Sequence, residues 1–218
     1  MKRTRSPSKE TLTEQAYRKI EEAILNANLA PGTWVTEPIM MKRLGIGRTP
    51  IREAVQRLAL KGFVEVLPGR GIRVADVNPQ DQIHILELRR AIEDLLVRRA
   101  IRHGTPAEKE EMRGLGQQLK KAAQITDAMR FRELDTEFKR LLLLCAKHKY
   151  AEGAISPLWS ATSRFIWVYR TLENKADYAE LVRRLIDAIV SANEAEAMHA
   201  NAARMDHLEE FVRATLNS

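Results

Sequence analysis

Arg48, Thr49 and Arg52 fall within five residues around Pro50, in the string RTPIREA, where an apolar helical periodicity begins. A proline in a first helical turn loses nothing, because the N–H it lacks has no intrahelical partner there. The spacing therefore predicts a helix capped by Gly47, or by Thr49, with three polar side chains projecting from its start. The positive end of the helix dipole and the unpaired backbone N–H groups already favour an anion at that place. Two arginines reinforce that field, which suits a phosphate. An arginine fork also matches O6 and N7 of guanine, a pair giving about 1–3 kcal/mol of discrimination. A further cation, Arg70, stands between Gly69 and Gly71 in LPGRG. Glycines let a backbone approach closely, and an arginine there suits a narrow minor groove. A hairpin tip also needs glycine for its own geometry, so both readings of the tip stay open.

The elements that must position these residues can be read along the chain. Ala16, Ile20, Ala23, Ile24 and Leu25 recur at helical spacing, and APGTWV at 30–35 ends that helix with a Pro-Gly turn. A short helix over 37–44 is expected to turn Ile39, Met40 and Leu44 inward, and GIG at 45–47 leads into the arginine-bearing helix. Val55, Leu58 and Ala59 form that helix's packing face, leaving Gln56 and Arg57 outward. FVEV (63–66) and IRVA (72–75) then read as two strands of a hairpin. This order is that of a winged helix-turn-helix. DVNPQD (76–81) is a connector, and beyond it the pattern is helical throughout. Helices near 80–103, 106–124, 127–147, 150–172, 175–192 and 194–216 predict a six-helix antiparallel bundle. The expected fold is mainly α. Residues 1–11 are expected to be disordered, 12–75 to be the winged module, 76–81 a linker and 82–218 the bundle.

Charge separates the same two parts. Of 36 Lys/Arg and 29 Asp/Glu, residues 1–75 hold 14 and 7, leaving 22 of each sign in the rest. The whole excess of +7 lies in the first third, as expected for a module that meets a polyanion. No apolar run is long enough for a membrane span, and MKRTRSPSKE lacks the apolar centre of an export signal, so a cytoplasmic protein is expected. The single cysteine, Cys145, lies in an apolar helix and reads as a buried, inert thiol. No nucleophile–base pair, phosphate loop or metal-ligand set is present, so no enzymatic activity and no cofactor are expected.

The string LAPGTWVTE…LGIGRTPIREAVQRLALKGFVEVLPGRGIRV resembles the DNA-binding domain of the GntR family of bacterial transcription regulators. The resemblance implies that Arg48, Thr49, Pro50, Arg52, Gly69 and Arg70 occupy DNA-contact positions. It departs from the family at Gly47, where a serine is usual, and at Pro38, where a basic or polar residue is common.

ELRRAIED (87–94), ELDTEFKRLL (133–142) and LIDAIVSANEAEA (185–197) are similar to the FadR-like (FCD) branch of that family. That likeness implies an effector pocket inside the bundle and a homodimer that places two DNA modules on a pseudo-palindromic operator. Many members of the branch hold a divalent metal through an Asp and three His. Here the Asp position is kept by Asp135, while the three His positions read Lys139, Val182 and Arg204. One carboxylate does not hold zinc, which needs three or four N, S or O ligands. Lys139 follows Asp135 by four residues on one helix face, where its ammonium can stand in for the metal's charge, and Arg204 adds another. The expectation is a metal-free site for a small carboxylate or other anion, with Arg89, Asp135, Lys139, Arg164 and Arg204 as its residues. Arg89 followed by Glu93 also reads as a surface ion pair, and the aromatic residues around Arg164 and Arg170 (Trp159, Phe165, Trp167, Tyr169) also read as core or dimer interface. An architectural DNA-binding protein without an effector is the alternative function.

Overall fold

The computed structural model describes residues 10–25, 28–125, 128–169 and 175–217. The chain divides into two compact units: residues up to Asn78 with Ser160–Val168, and Pro79–Trp159 with Tyr169 onward. The expected disorder of 1–11 falls outside the described residues except at Glu10 and Thr11. There Thr11 and Glu14 exchange hydrogen bonds in the manner of a capping box, opening α1 (Leu12–Leu25).

The first unit has the order α1, β1 (Trp34–Val35), α2 (Glu37–Leu44), α3 (Arg48–Leu60), β2 (Val64–Leu67), β3 (Gly71–Val74). In α3 the buried residues are Ile51, Ala54, Val55 and Leu58, spaced i, i+3, i+4, i+7, and they pack on α1 and α2. Full burial of Ile51 and Leu58 contributes roughly 2–3 kcal/mol each. The same periodicity leaves Arg48, Arg52, Glu53, Gln56 and Arg57 exposed. Helix α2 ends at Gly45 in the left-handed region (φ 66°), and buried Ile46 anchors the turn into α3. Ile39, expected to face inward, is 54% exposed, whereas Met40 is buried. An eight-residue helix packed along one narrow stripe has room to bury only part of a three-residue apolar set.

The sheet has the order β1-β3-β2, all antiparallel. The Trp34–Val35 strand lies in a stretch read as a turn, since two residues are too few to show alternation. It pairs Trp34 with Arg73 and Val35 with Ile72. Pro68 and Gly69 (φ 74°) fill the central positions of the hairpin turn, closed by the Arg70 amide donating to the Leu67 carbonyl at 3.0 Å. Gly71 (φ 105°) is required twice over, because a Cβ there would stand 2.9 Å from the Val35 carbonyl oxygen of β1.

The second unit contains α4 (Pro79–His103), α5 (Pro106–Ala123), α6 (Ala128–Ala146), α8 (Lys175–Val190) and α9 (Glu194–Leu216), with the first half of α7 (Ala151–Val168). Packing pairs α4 with α9, α9 with α8, α8 with α5, α5 with α6 and α6 with α4, which closes a ring. The expected end of the fourth bundle helix, up to residue 172, lies partly outside the described residues. Thr105 and Glu108 form a reciprocal capping box at the start of α5, and Asn193 caps α9 through Glu196. Leu96, Leu119, Leu141, Leu142, Leu185 and Ile189 fill the ring's interior.

Candidate DNA-reading surface and buried ion cluster

Gly47, in extended backbone, caps α3 without a side-chain bond, and no acidic residue occupies the first turn. Arg48 projects from that turn and Arg52 from the next, on the same face, with their side chains 61% and 60% exposed, and Thr49 is exposed beside Arg48. Pro50 lies within the same turn, where its missing N–H breaks no bond. Gly69 and Arg70 are exposed at the hairpin tip of the same unit. The surface thus combines cations with the dipole of a helix start and carries an exposed basic tip. Glu37, which the sequence reading did not connect with this surface, stands at the first position of α2. Its carboxylate accepts from Arg52 Nε at 2.7 Å and lies 3.5 Å from Arg48 Nε. The only signal for it in the sequence was an acid at a helix start; the contact spans 15 residues.

The residues expected in the bundle divide. Arg89, Asp135, Lys139 and Arg204 come together inside the helix ring of the second unit, while Arg164 belongs to the first. Arg164, 5% exposed, donates to the backbone carbonyls of Gly62, Ala75 (2.5 Å) and Asp76 (3.1 Å), with its guanidinium over the Phe63 ring. Burial lowers its pKa, partly countered by Asp76 and Glu65. Phe165 and Trp167 beside it are buried as core.

Within the ring, Glu93 is the hub. Arg89 Nε donates to it at 2.8 Å and Trp159 Nε1 at 2.8 Å, and Arg204 Nη2 donates to its other oxygen. All three charged groups are 0–1% exposed, so the Arg89–Glu93 pair is internal and not a surface pair. Burial pushes the Glu93 carboxyl upward, but Arg204 and Arg89 outweigh it and hold it at about 2. Arg204 also reaches the Asn201 side-chain oxygen at 2.8 Å and lies over the Phe138 ring. Asn201 in turn donates to Asp94 at 2.8 Å. Burial lowers the Arg204 pKa and Glu93 more than restores it, leaving it raised.

Asp135 accepts from Lys139 Nζ at 2.6 Å through one oxygen and from the Tyr178 hydroxyl at 3.0 Å through the other. Burial, then Asp135, raises the Tyr178 pKa, so it stays a hydroxyl donor; Arg204 Nη1 lies 3.5 Å from its oxygen. Val182, one turn on, is buried and apolar. Both Asp135 oxygens are therefore engaged, and the neighbouring positions carry cations. Among the described residues no group of three or more His, Cys, Asp or Glu is arranged to hold a metal. The site does not fit the metal that the branch implies. Tyr178 and Asn201 escaped the sequence reading, although each lies a turn before a mapped position, Val182 and Arg204.

The cluster sums three cations (Arg89, Lys139, Arg204) against two carboxylates (Glu93, Asp135), a formal excess of one positive charge. Arg89 Nη2 and Arg204 Nε are buried N–H groups without a partner among the described residues. Each unmet donor costs about 1–3 kcal/mol, more where the group is charged. Cys145 is buried, and burial raises its thiol to about 11, leaving it an unreactive neutral group.

A winged helix-turn-helix joined to a helical ring with a buried cationic cluster defines a DNA-binding regulator with a ligand-sensing domain. Residues 12–74 match the family model described as bacterial regulatory proteins, gntR family, and residues 84–209 match the FCD domain. The chain belongs to the GntR family of transcription regulators, in its FCD-containing form, and is not an enzyme. It is 26% identical over 200 residues to the HTH-type transcriptional repressor RspR of Escherichia coli, covering 92% of this chain and 87% of that protein. It is 26% identical over 212 residues to a probable D-xylose utilization operon transcriptional repressor of Paenarthrobacter nicotinovorans (95% and 90% covered). The structure of E. coli McbR/YncC shares the fold, with a TM-score of 0.79 at 20% identity, covering 94% of this chain and 99% of that one. These matches do not favour the architectural alternative.

Proposed function

We propose that the chain is a homodimeric, cytoplasmic repressor that reads a pseudo-palindromic operator through α3 and the hairpin tip. Arg48, Thr49, Pro50 and Arg52 form the major-groove contact, and Gly69 with Arg70 the neighbouring minor-groove contact. The observation that carries this reading is the exposed pair Arg48 and Arg52 on a helix start that has no acid in its own first turn. Repression, rather than activation, is supported by the names of the relatives. No described helix is long and apolar enough to cross a membrane.

The effector is a small anion, a carboxylate in the simplest case, bound in the ring without a metal. Arg89 Nη2 and Arg204 Nε supply the unmet donors and the excess charge, with Lys139 and Asp135 as the neighbouring ion pair. Arg164 lies outside this set. The test is fluorescence anisotropy of the full chain on an operator selected from a random pool, against a random duplex. An affinity gap of about 10³-fold or more is expected, with a steep salt slope on both duplexes. A panel of organic acids, each with and without EDTA, then tests the effector. At least one should change operator affinity independently of EDTA. Equal affinity for both duplexes defeats the operator reading; loss of the acid's effect with EDTA defeats the metal-free site.

A further inference from the structure

Arg48 and Arg52 stand where the dipole of α3 repels them, and DNA is not there to offset that in the free protein. The offset comes from Glu37. Its place at the start of α2 is itself favourable for a carboxylate, with Thr36 as N-cap residue just before it. The carboxylate is only 25% exposed, whereas both arginines are about 60% exposed. One oxygen takes Arg52 and the other faces Arg48, so a single group is shared between the two. The contact is directional. Arg52 gives Glu37 its Nε–H, the inner edge of the guanidinium, at 2.7 Å. The Nη1/Nη2 end is not used in this contact, and the side chain that carries it is 60% exposed. That end can fork onto a purine edge, and the bond at Nε restricts the guanidinium's orientation before binding, to the modest extent of an exposed ion pair. Glu53, on the exposed face of α3, is the natural contrast: its carboxylate accepts from the Thr13 hydroxyl at 2.7 Å and from neither arginine.

We propose that Glu37 is a specificity-determining positioning residue: it fixes the approach of Arg52 to the base edge and weakens sequence-independent attraction to phosphate. This rests on the assignment of Arg52 as a base-reading residue. An arginine free of Glu37 swings to any phosphate in reach, and its fork takes a phosphate as well as a purine edge; tethered at Nε, it meets only the acceptor that lies along its fixed approach. Affinity for random DNA is thereby reduced by the negative charge of Glu37, and the operator is favoured by the preset geometry.

The experiment uses the full chain, with folding checked by far-UV circular dichroism, and compares wild type, E37Q, E37D, E53Q and R52A. Each is measured on a duplex selected on the wild type and on a random duplex of equal length, over a series of salt concentrations. E37Q should bind random DNA about 2–5-fold more tightly, because a negative charge beside the phosphates is gone. Its operator-to-random ratio should fall on the order of 10-fold, within the range of one forked base contact. E37D keeps the charge but is shorter by a methylene. It should leave random binding near the wild-type value and still lower the ratio. E53Q should raise affinity for both duplexes alike and leave the ratio unchanged. A ratio in E37Q and E37D within about twofold of wild type, with R52A losing its discrimination, overturns the role of Glu37 and leaves the base contact standing. Unchanged discrimination in R52A overturns both. An equal drop in E53Q reduces Glu37 to a general charge effect and also overturns the proposal.

Discussion

Glu93→Gln removes the charge at the centre of the ring while keeping the side chain's shape. The carboxylate accepts from Arg89, Trp159 and Arg204, each partner being nearly or wholly buried. Its pKa falls from 4.5 to about 2, a change equivalent to about 3 kcal/mol of favourable interaction with the ionised form. Removing one partner of a buried ion pair typically costs about 3–5 kcal/mol, since the other charge stays buried without compensation. Here two guanidinium groups are left so. The variant should therefore lose about 3–5 kcal/mol at pH 7, a fall of roughly 10 °C in Tm. Because the folded pKa lies below the unfolded one, the stabilisation is complete above about 4.5 and disappears as pH falls towards about 2. The gap between wild type and variant should close over that interval and stay constant between pH 6 and 8. Urea unfolding followed by circular dichroism over a pH series measures both features. A loss under about 1 kcal/mol, or a gap that does not narrow in acid, would show that Glu93 is not the counter-charge that holds the ring.

Other outcomes follow from the same structure. Arg164→Ala leaves the carbonyls of Gly62, Ala75 and Asp76 without their shared donor; differential scanning calorimetry should register a loss of about 2–4 kcal/mol, and Arg164→Lys, unable to fork, should recover little of it. Elemental analysis of protein purified without chelator should find no stoichiometric zinc, nickel or manganese, and EDTA should leave Tm unchanged; one equivalent per chain would contradict the engagement of both Asp135 oxygens. Ala192 sits at φ 56° after α8, where a Cβ is strained; Ala192→Gly should raise stability by about 0.5–1 kcal/mol, measurable as a shift of the urea midpoint.

The sequence by itself determined the elements, because their signals are local. Pro50, Gly62 and the i, i+3, i+4 spacing of Ile51, Ala54, Val55 and Leu58 specify α3 with no help from the rest of the chain. Pro68-Gly69 likewise specifies the hairpin turn. Spacing also turned Arg48 and Arg52 outward, since burying the other face leaves them nowhere else to point. Tertiary structure decided what crosses between elements. The pair Arg89–Glu93 looks the same in sequence on a surface helix and inside a ring; Trp159, 66 residues away, and Arg204, 111 residues away, make it internal. Arg164 reads in sequence as a cation among aromatic residues, and only its three backbone carbonyl partners, around 90 to 100 residues distant, place it in the first unit. The two-residue strand at Trp34 exists only because β3 offers it an edge. The buried excess charge is of the same kind. Periodicity records which face of a helix is apolar, whereas the sum of charges inside a ring depends on which faces meet.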